Sequence, residues 1–75
     1  MTANENVGRI RRAKGVTKTF LAKELGLSLQ GYRHIEAGNV RLDVERMKVI
    51  GRALGVDSSV FLDDKLTDCV ILGQE

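Results

Sequence analysis

Residues 17–36 read TKTFLAKELGLSLQGYRHIE, a stretch in which two short apolar patterns flank a turn. In both patterns the apolar residues recur at spacings of three and four, which predicts two helices that each bury one face. These residues are Leu21, Ala22, Leu25, Tyr32 and Ile35. Gly26 suits the left-handed position that follows a helix, and Ser28 suits the N-cap of the next helix. The stretch therefore predicts two helices joined by a tight turn at residues 26–28.

The second of these helices keeps one face for contacts outside the domain. That face carries Leu29, Gln30, Arg33 and His34, and three of these side chains are hydrogen-bond donors or acceptors. Two short helices with a tight turn and a free polar face on the second helix have the layout of a helix-turn-helix.

The length of 75 residues limits the chain to one domain, with a core too small for a deep catalytic pocket. A hydrophobic content of 43% with only three aromatic residues is typical of an aliphatic helical bundle. Cys69 and His34 are the single cysteine and histidine, so we expect no disulfide, no metal site and no set of catalytic residues.

The sequence contains no membrane-length apolar run and no signal-peptide pattern, which makes the cytoplasm the expected location.

Charge is divided unevenly along the chain. Residues 1–41 carry eight basic and three acidic side chains, a net charge of +5, whereas residues 42–75 carry a net charge of −3. The two halves are therefore expected to face different partners. A basic half alone is more often a solvated surface than a nucleic-acid site. Together with the helix-turn-helix pattern, however, the charge favours DNA binding.

Helix caps and glycines predict five helices. Asn4 is the expected cap of a first helix over about residues 5–14, and Thr17 and Ser28 cap the next two. Asp43 is the expected cap of a fourth helix that ends near Leu54, and Asp57 the cap of a short fifth helix. Glycines at positions 15, 26, 38 and 55 follow the first four helices, which predicts an all-α fold.

Several short motifs in the right order resemble the phage Cro and lambda-repressor-like family, also called XRE-type, from about Val7 to Leu62. The motifs are Ile10-Arg11, Lys14-Gly15-Val16-Thr17, Leu21-Ala22, Leu25-Gly26-Leu27-Ser28, Ile35-Glu36-Ala37-Gly38 and Ala53-Leu54-Gly55-Val56. The resemblance implies a compact five-helix DNA-binding domain over residues 1–64. Lys18, where the family usually has glutamine, and the tail after Asp64 depart from the family pattern.

The resemblance also implies which residues contact DNA. The start of the third helix would enter the major groove, so Leu29, Gln30, Arg33 and His34 are the candidates for base contacts. For His34 a solvated surface position is the alternative. Lys18, Thr19, Ser28, Asn39 and Arg41 are the candidates for contacts with the DNA backbone. An ordinary solvated lysine is the alternative for Lys18.

Arg11 matches an arginine that, in the family, pairs with the glutamate at the end of the recognition helix, here Glu36. If that pair is partly buried it would fix the first helix to the third, whereas two solvated charges would contribute little. Tyr32 is expected in the core, with base stacking as the alternative.

Residues 65–75 form a tail that differs from the bundle. The segment Lys65–Leu72 is rich in strand-forming residues and apolar at its end, which predicts a β-strand. Such a strand either pairs with the same strand of a second subunit to make a homodimer, or packs back on its own domain.

Two functions remain open from the sequence. One is a phage-type transcriptional repressor that reads a palindromic double-stranded DNA operator as a homodimer, controlled by concentration, by an antirepressor or by another regulatory protein. The other is an antitoxin-type interaction module that uses DNA binding for autoregulation. No cofactor is expected for either, and enzymatic activity is the least expected function.

Overall fold

The computed structural model describes residues 2–73, and all regular structure in that part of the chain is helical. Five α-helices and one 3-10 helix follow one another. They are α1 (Ala3–Ala13), α2 (Lys18–Leu25), α3 (Leu29–Glu36), α4 (Val44–Leu54), the 3-10 helix (Ser58–Leu62) and α5 (Asp64–Leu72). The predicted all-α fold is confirmed, and the short helix expected after Asp57 is the 3-10 helix.

Most of the predicted helix starts are confirmed by their caps. The side chains of Thr17, Ser28, Asp43 and Asp57 each accept a hydrogen bond from a backbone N–H in the first turn of the helix that follows. These bonds satisfy donors that have no partner within the helix itself. Each cap depends on residues two or three positions apart, so it forms from local sequence.

The start of α1 differs from the prediction. Thr2, not Asn4, is the N-cap: its side chain accepts from the Glu5 N–H while the Glu5 carboxylate accepts from the Thr2 N–H, which makes a capping box. Asn4 lies within the first turn of α1, and its side chain donates instead to the carbonyls of Ile35 and Val40. The expected Asn4 cap is therefore wrong.

The core lies where α1, α2, α3, α4 and the 3-10 helix meet, and it is largely aliphatic. Tyr32 and Phe61, both fully buried, are its aromatic members. The buried hydrophobic residues are Val7, Ile10, Leu21, Ala22, Tyr32, Ile35, Leu42, Met47, Ile50, Leu54 and Phe61. The expected place of Tyr32 in the core is confirmed.

The tail is a helix, so the predicted β-strand over Lys65–Leu72 is wrong. Asp63 caps α5 by accepting from the backbone N–H groups of Lys65 and Leu66. Thr67 is fully buried and donates its hydroxyl to the Val60 carbonyl at 2.7 Å. These contacts and the packing of α5 on α1 outweigh the strand propensity of the segment. Residues 74 and 75 of the predicted tail lie outside the described residues.

None of the helices within residues 2–73 has the length and apolarity that crossing a bilayer requires.

Candidate nucleic-acid interface

The turn between α2 and α3 has the geometry that its sequence predicts. Gly26 adopts φ 70° and ψ 27°, a left-handed conformation that a side chain would strain. The chain then turns so that the Leu27 N–H reaches the Ala22 carbonyl at 2.8 Å. Ala22 is buried, and its small side chain lets α2 and α3 pack closely. The two helices therefore form a helix-turn-helix joined by a tight turn at residues 26–28.

Helix α3 separates buried from exposed side chains along its length. Tyr32 and Ile35 are buried, while Gln30, Arg33 and His34 are exposed and Leu29 is half-buried. At 100° per residue, the four predicted base-contact residues occupy one arc of about 140° on the helix. The structure thus brings these four residues together on one outward face.

The predicted backbone-contact residues lie at the starts of α2 and α3 and in the loop after α3. Lys18 and Thr19 lie in the first turn of α2, and Thr19 is exposed. Ser28 caps α3, with its oxygen accepting from the Gly31 N–H at 3.1 Å. Asn39 and Arg41 lie in the loop between α3 and α4, and both are exposed. Each of these side chains is placed at an end of a helix or in the loop that leaves α3.

The Glu36 carboxylate joins three helices at the end of α3. Arg11 Nε lies 2.6 Å from Glu36 Oε1, and each of these two side chains is only 9% exposed. Arg11 Nη1 also donates to the Val16 carbonyl at 2.8 Å. Because Arg11 belongs to α1 and Glu36 to α3, this buried pair fixes the first helix to the recognition helix.

Two further groups contact Glu36, and sequence reasoning missed both. The Tyr32 hydroxyl donates to Glu36 Oε1 at 3.1 Å, and Lys18 Nζ lies 3.7 Å from Glu36 Oε2. The i, i+4 spacing of Tyr32 and Glu36 was a signal for the first contact. The Lys18 contact had no such signal, because it joins separate helices. Burial raises the pKa of Tyr32, the Glu36 carboxylate raises it further, and the Arg11 cation opposes both effects.

A second exposed surface lies away from the helix-turn-helix, on α5 and the end of the 3-10 helix. Leu62, Leu66 and Leu72 are exposed there, and so is Cys69. The opposite side of α5, with Thr67, packs inward. Phe20, on α2, is a separate exposed aromatic residue.

A family model described as helix-turn-helix matches residues 7–61. Searches of curated proteins and of solved structures found no match. The matched residues cover more than half of the chain and include the whole of α2, the turn and α3. The chain therefore belongs to the lambda-repressor-like (XRE-type) family of helix-turn-helix DNA-binding regulators.

Proposed function

We propose that the chain is a cytoplasmic, phage-type transcriptional repressor that reads a palindromic double-stranded DNA operator as a homodimer. The observation that carries this proposal is the outward face of α3, where the exposed Gln30, Arg33 and His34 and the half-buried Leu29 lie opposite a buried Tyr32–Ile35 stripe. In a helix-turn-helix this helix lies in the major groove.

Each base-contact residue has a distinct role. The Gln30 amide is able to donate to and accept from adenine at once, and Leu29 packs on a thymine methyl. Arg33 reaches a guanine edge or a phosphate. His34 donates to a guanine or thymine acceptor. The four side chains together read a short half-site.

The backbone contacts fix the register of α3 on the duplex. Lys18 and Thr19 place a cation, a hydroxyl and the first N–H groups of α2 at the start of the helix, where the helix dipole favours a phosphate. Ser28 keeps its O–H as a donor while its oxygen caps α3. Asn39 and Arg41 hold the phosphates beside the loop after α3.

The homodimer is proposed to form through the outer face of α5. Leu66 and Leu72 on α5, and Leu62 at the end of the 3-10 helix, are large apolar side chains exposed in this part of the chain. A two-fold symmetric dimer of a helix-turn-helix protein reads two half-sites about one helical turn apart, one with each α3. A regulatory protein such as an antirepressor would act on this dimer or on the α3 face.

Selection of bound sites from a random DNA pool tests the proposal, followed by titration of the selected duplex and a scrambled duplex at two salt concentrations. A palindrome bound at least ~10³-fold better than scrambled DNA is the expected result. No enriched site, with weak binding that is lost at the higher salt, would refute sequence-specific reading and leave only a phosphate-binding surface.

A further inference from the structure

The side-chain amide of Asn4 connects α1 to two carbonyl groups at the far end of the helix-turn-helix. Asn4 Nδ2 donates to the Ile35 carbonyl at 2.8 Å and to the Val40 carbonyl at 2.9 Å. An asparagine amide has two N–H donors, so both are used. One bond is made to the last turn of α3, and the other to the middle of the loop between α3 and α4.

The Val40 bond sets the direction of the next backbone N–H. The described peptide bonds are all trans, and in a planar trans peptide the C=O and the following N–H point in opposite directions. Because the Val40 carbonyl points at Asn4 on α1, the Arg41 N–H points away from α1. Asn4 therefore sets the direction in which the loop presents the Arg41 N–H.

The rest of the loop is fixed at its two ends. The N–H groups of Gly38 and Asn39 donate back to carbonyls in the last turn of α3, each at 3.0 Å. At the other end Leu42 is buried, and Asp43 caps α4. Val40 lies between these two anchored ends with its side chain exposed. The Asn4 amide is thus the polar contact that holds the middle of the loop.

We infer that Asn4 is a positioning residue for the contacts that the Asn39–Arg41 segment makes with DNA phosphates. It acts through the Val40 carbonyl and does not itself touch DNA. This inference rests on the proposed DNA-binding function for its consequence in DNA affinity, whereas its consequence for the loop is independent of DNA.

Asn6 supplies a matched control on the same helix. Its amide also donates twice, to the Phe61 carbonyl at 2.9 Å and to Asp64 Oδ1 at 3.0 Å. These partners lie in the 3-10 helix and α5, on the opposite side of α1 from the loop. Asn6 Oδ1 also accepts from Arg9 Nη1 at 3.2 Å. Asn4→Ala therefore removes two hydrogen bonds from α1 and Asn6→Ala removes three, but only Asn4→Ala releases the loop.

The first test measures the loop in the full chain without DNA, by backbone ¹⁵N relaxation. In Asn4→Ala, the order parameters of residues 39–41 are expected to fall from about 0.85 towards 0.6, with the α2–α3 turn unchanged. Unchanged order parameters at residues 39–41 would overturn the inference, whatever the protein does with DNA. If Asn6→Ala fails to fold, Thr67→Val, which removes the buried bond to the Val60 carbonyl, takes its place as the control.

The second test titrates the duplex selected by the wild-type chain, and its scrambled version, at a temperature where each variant is folded. Asn4→Ala is expected to bind both duplexes about fivefold more weakly, because phosphate contacts carry no sequence preference. The slope of log K against log salt should become shallower by about 0.9, the value of one phosphate contact. The control variant should match wild type in its affinity for the two duplexes and in its salt slope.

The outcomes separate the inference from the proposed function. Wild-type chain that selects no duplex refutes the proposed function, while the relaxation measurement still decides whether Asn4 positions the loop. Wild-type chain that binds its duplex, with Asn4→Ala binding it equally well at the same salt slope, overturns the inference and leaves the proposed function standing.

Discussion

Arg11 Nε and Glu36 Oε1 lie 2.6 Å apart, between the first helix and the end of the recognition helix, and 9% of each side chain is exposed. Because both side chains are largely shielded from solvent, water cannot replace the lost partner of either charge. Removing one partner leaves the other charge buried without compensation, which is far more destabilising than losing a surface ion pair.

Arg11→Ala is therefore expected to lower the free energy of unfolding by about 3 kcal/mol. Arg12→Ala is the control, because Arg12 is the exposed neighbour on the same helix; its effect should stay within about 0.5 kcal/mol. Thermal or urea unfolding followed by circular dichroism measures both. Equal melting temperatures for the two variants would show that the pair contributes no more than a solvated charge.

The Tyr32 hydroxyl gives the stability of the fold a pH dependence on the alkaline side. Burial first, and the Glu36 carboxylate second, raise the pKa of Tyr32 in the folded chain, whereas an unfolded tyrosine titrates at about 10. The stabilising contribution is complete below pH 10 and is lost as the pH rises above that value, because only the unfolded state then releases the proton. Stability should decline steeply in this range.

The chain contains a single tyrosine and no tryptophan, so the ultraviolet absorbance of tyrosinate reports Tyr32 alone. We expect the absorbance change and the loss of helix to occur together, well above pH 10. Tyr32→Phe is expected to cost about 1 kcal/mol at neutral pH, through loss of the hydrogen bond to Glu36. It should also flatten the alkaline decline. Ionisation at an ordinary tyrosine pKa with the helices intact would contradict the buried hydroxyl.

Local interactions explain which parts of the fold the sequence could predict. The caps at Thr17, Ser28 and Asp43 depend on side chains and backbone groups no more than three residues apart. The turn at Gly26 likewise depends on one backbone conformation. For α1 the pattern Thr2-Ala3-Asn4-Glu5 is a capping box, and this local signal pointed to Thr2 rather than Asn4.

Non-local contacts explain what the sequence could not supply. Thr67, Val70 and Ile71 favour a strand when taken alone, but the buried Thr67 hydroxyl bonds to the Val60 carbonyl and α5 packs on α1. The contact between Lys18 and Glu36 joins α2 to α3 across space. In the candidate interface, the outward face of α3 follows from helical periodicity, whereas Asn4 supports the loop through a contact between residues 36 positions apart, for which the sequence has no local pattern.

Substitutions of Gln30 and of Arg41 are expected to affect DNA binding in different ways. Gln30→Ala should weaken binding to the selected operator by about 1–3 kcal/mol and leave scrambled DNA nearly unaffected, since a base contact discriminates among sequences. Arg41→Gln should weaken both duplexes alike and reduce the salt slope by about 0.9. Titrations of both duplexes at several salt concentrations measure the two effects. Loss of sequence preference in Arg41→Gln, with none in Gln30→Ala, would reverse the assigned roles.

The outer face of α5 makes a prediction about the oligomeric state. Leu66 is 45% exposed and Leu72 is 65% exposed, so replacing either with glutamate leaves the buried core in place. A charge at a dimer contact must be desolvated without a partner, and the double variant Leu66→Glu, Leu72→Glu is therefore expected to sediment as a monomer of about 8.3 kDa. The wild-type chain should sediment at twice that mass.

Val44→Glu is the control for added charge, because Val44 is 59% exposed on α4 and should leave the dimer intact. Truncation of the tail is a poorer test, since α5 contributes Thr67 to the buried interior.

A monomeric double variant should still bind one half-site but lose most of its affinity for the full palindrome, because the second α3 is no longer tethered beside the first. A double variant that stays dimeric would show that the dimer interface does not include Leu66 and Leu72. A wild-type chain that is monomeric alone but binds the palindrome would show that two copies pair only on DNA.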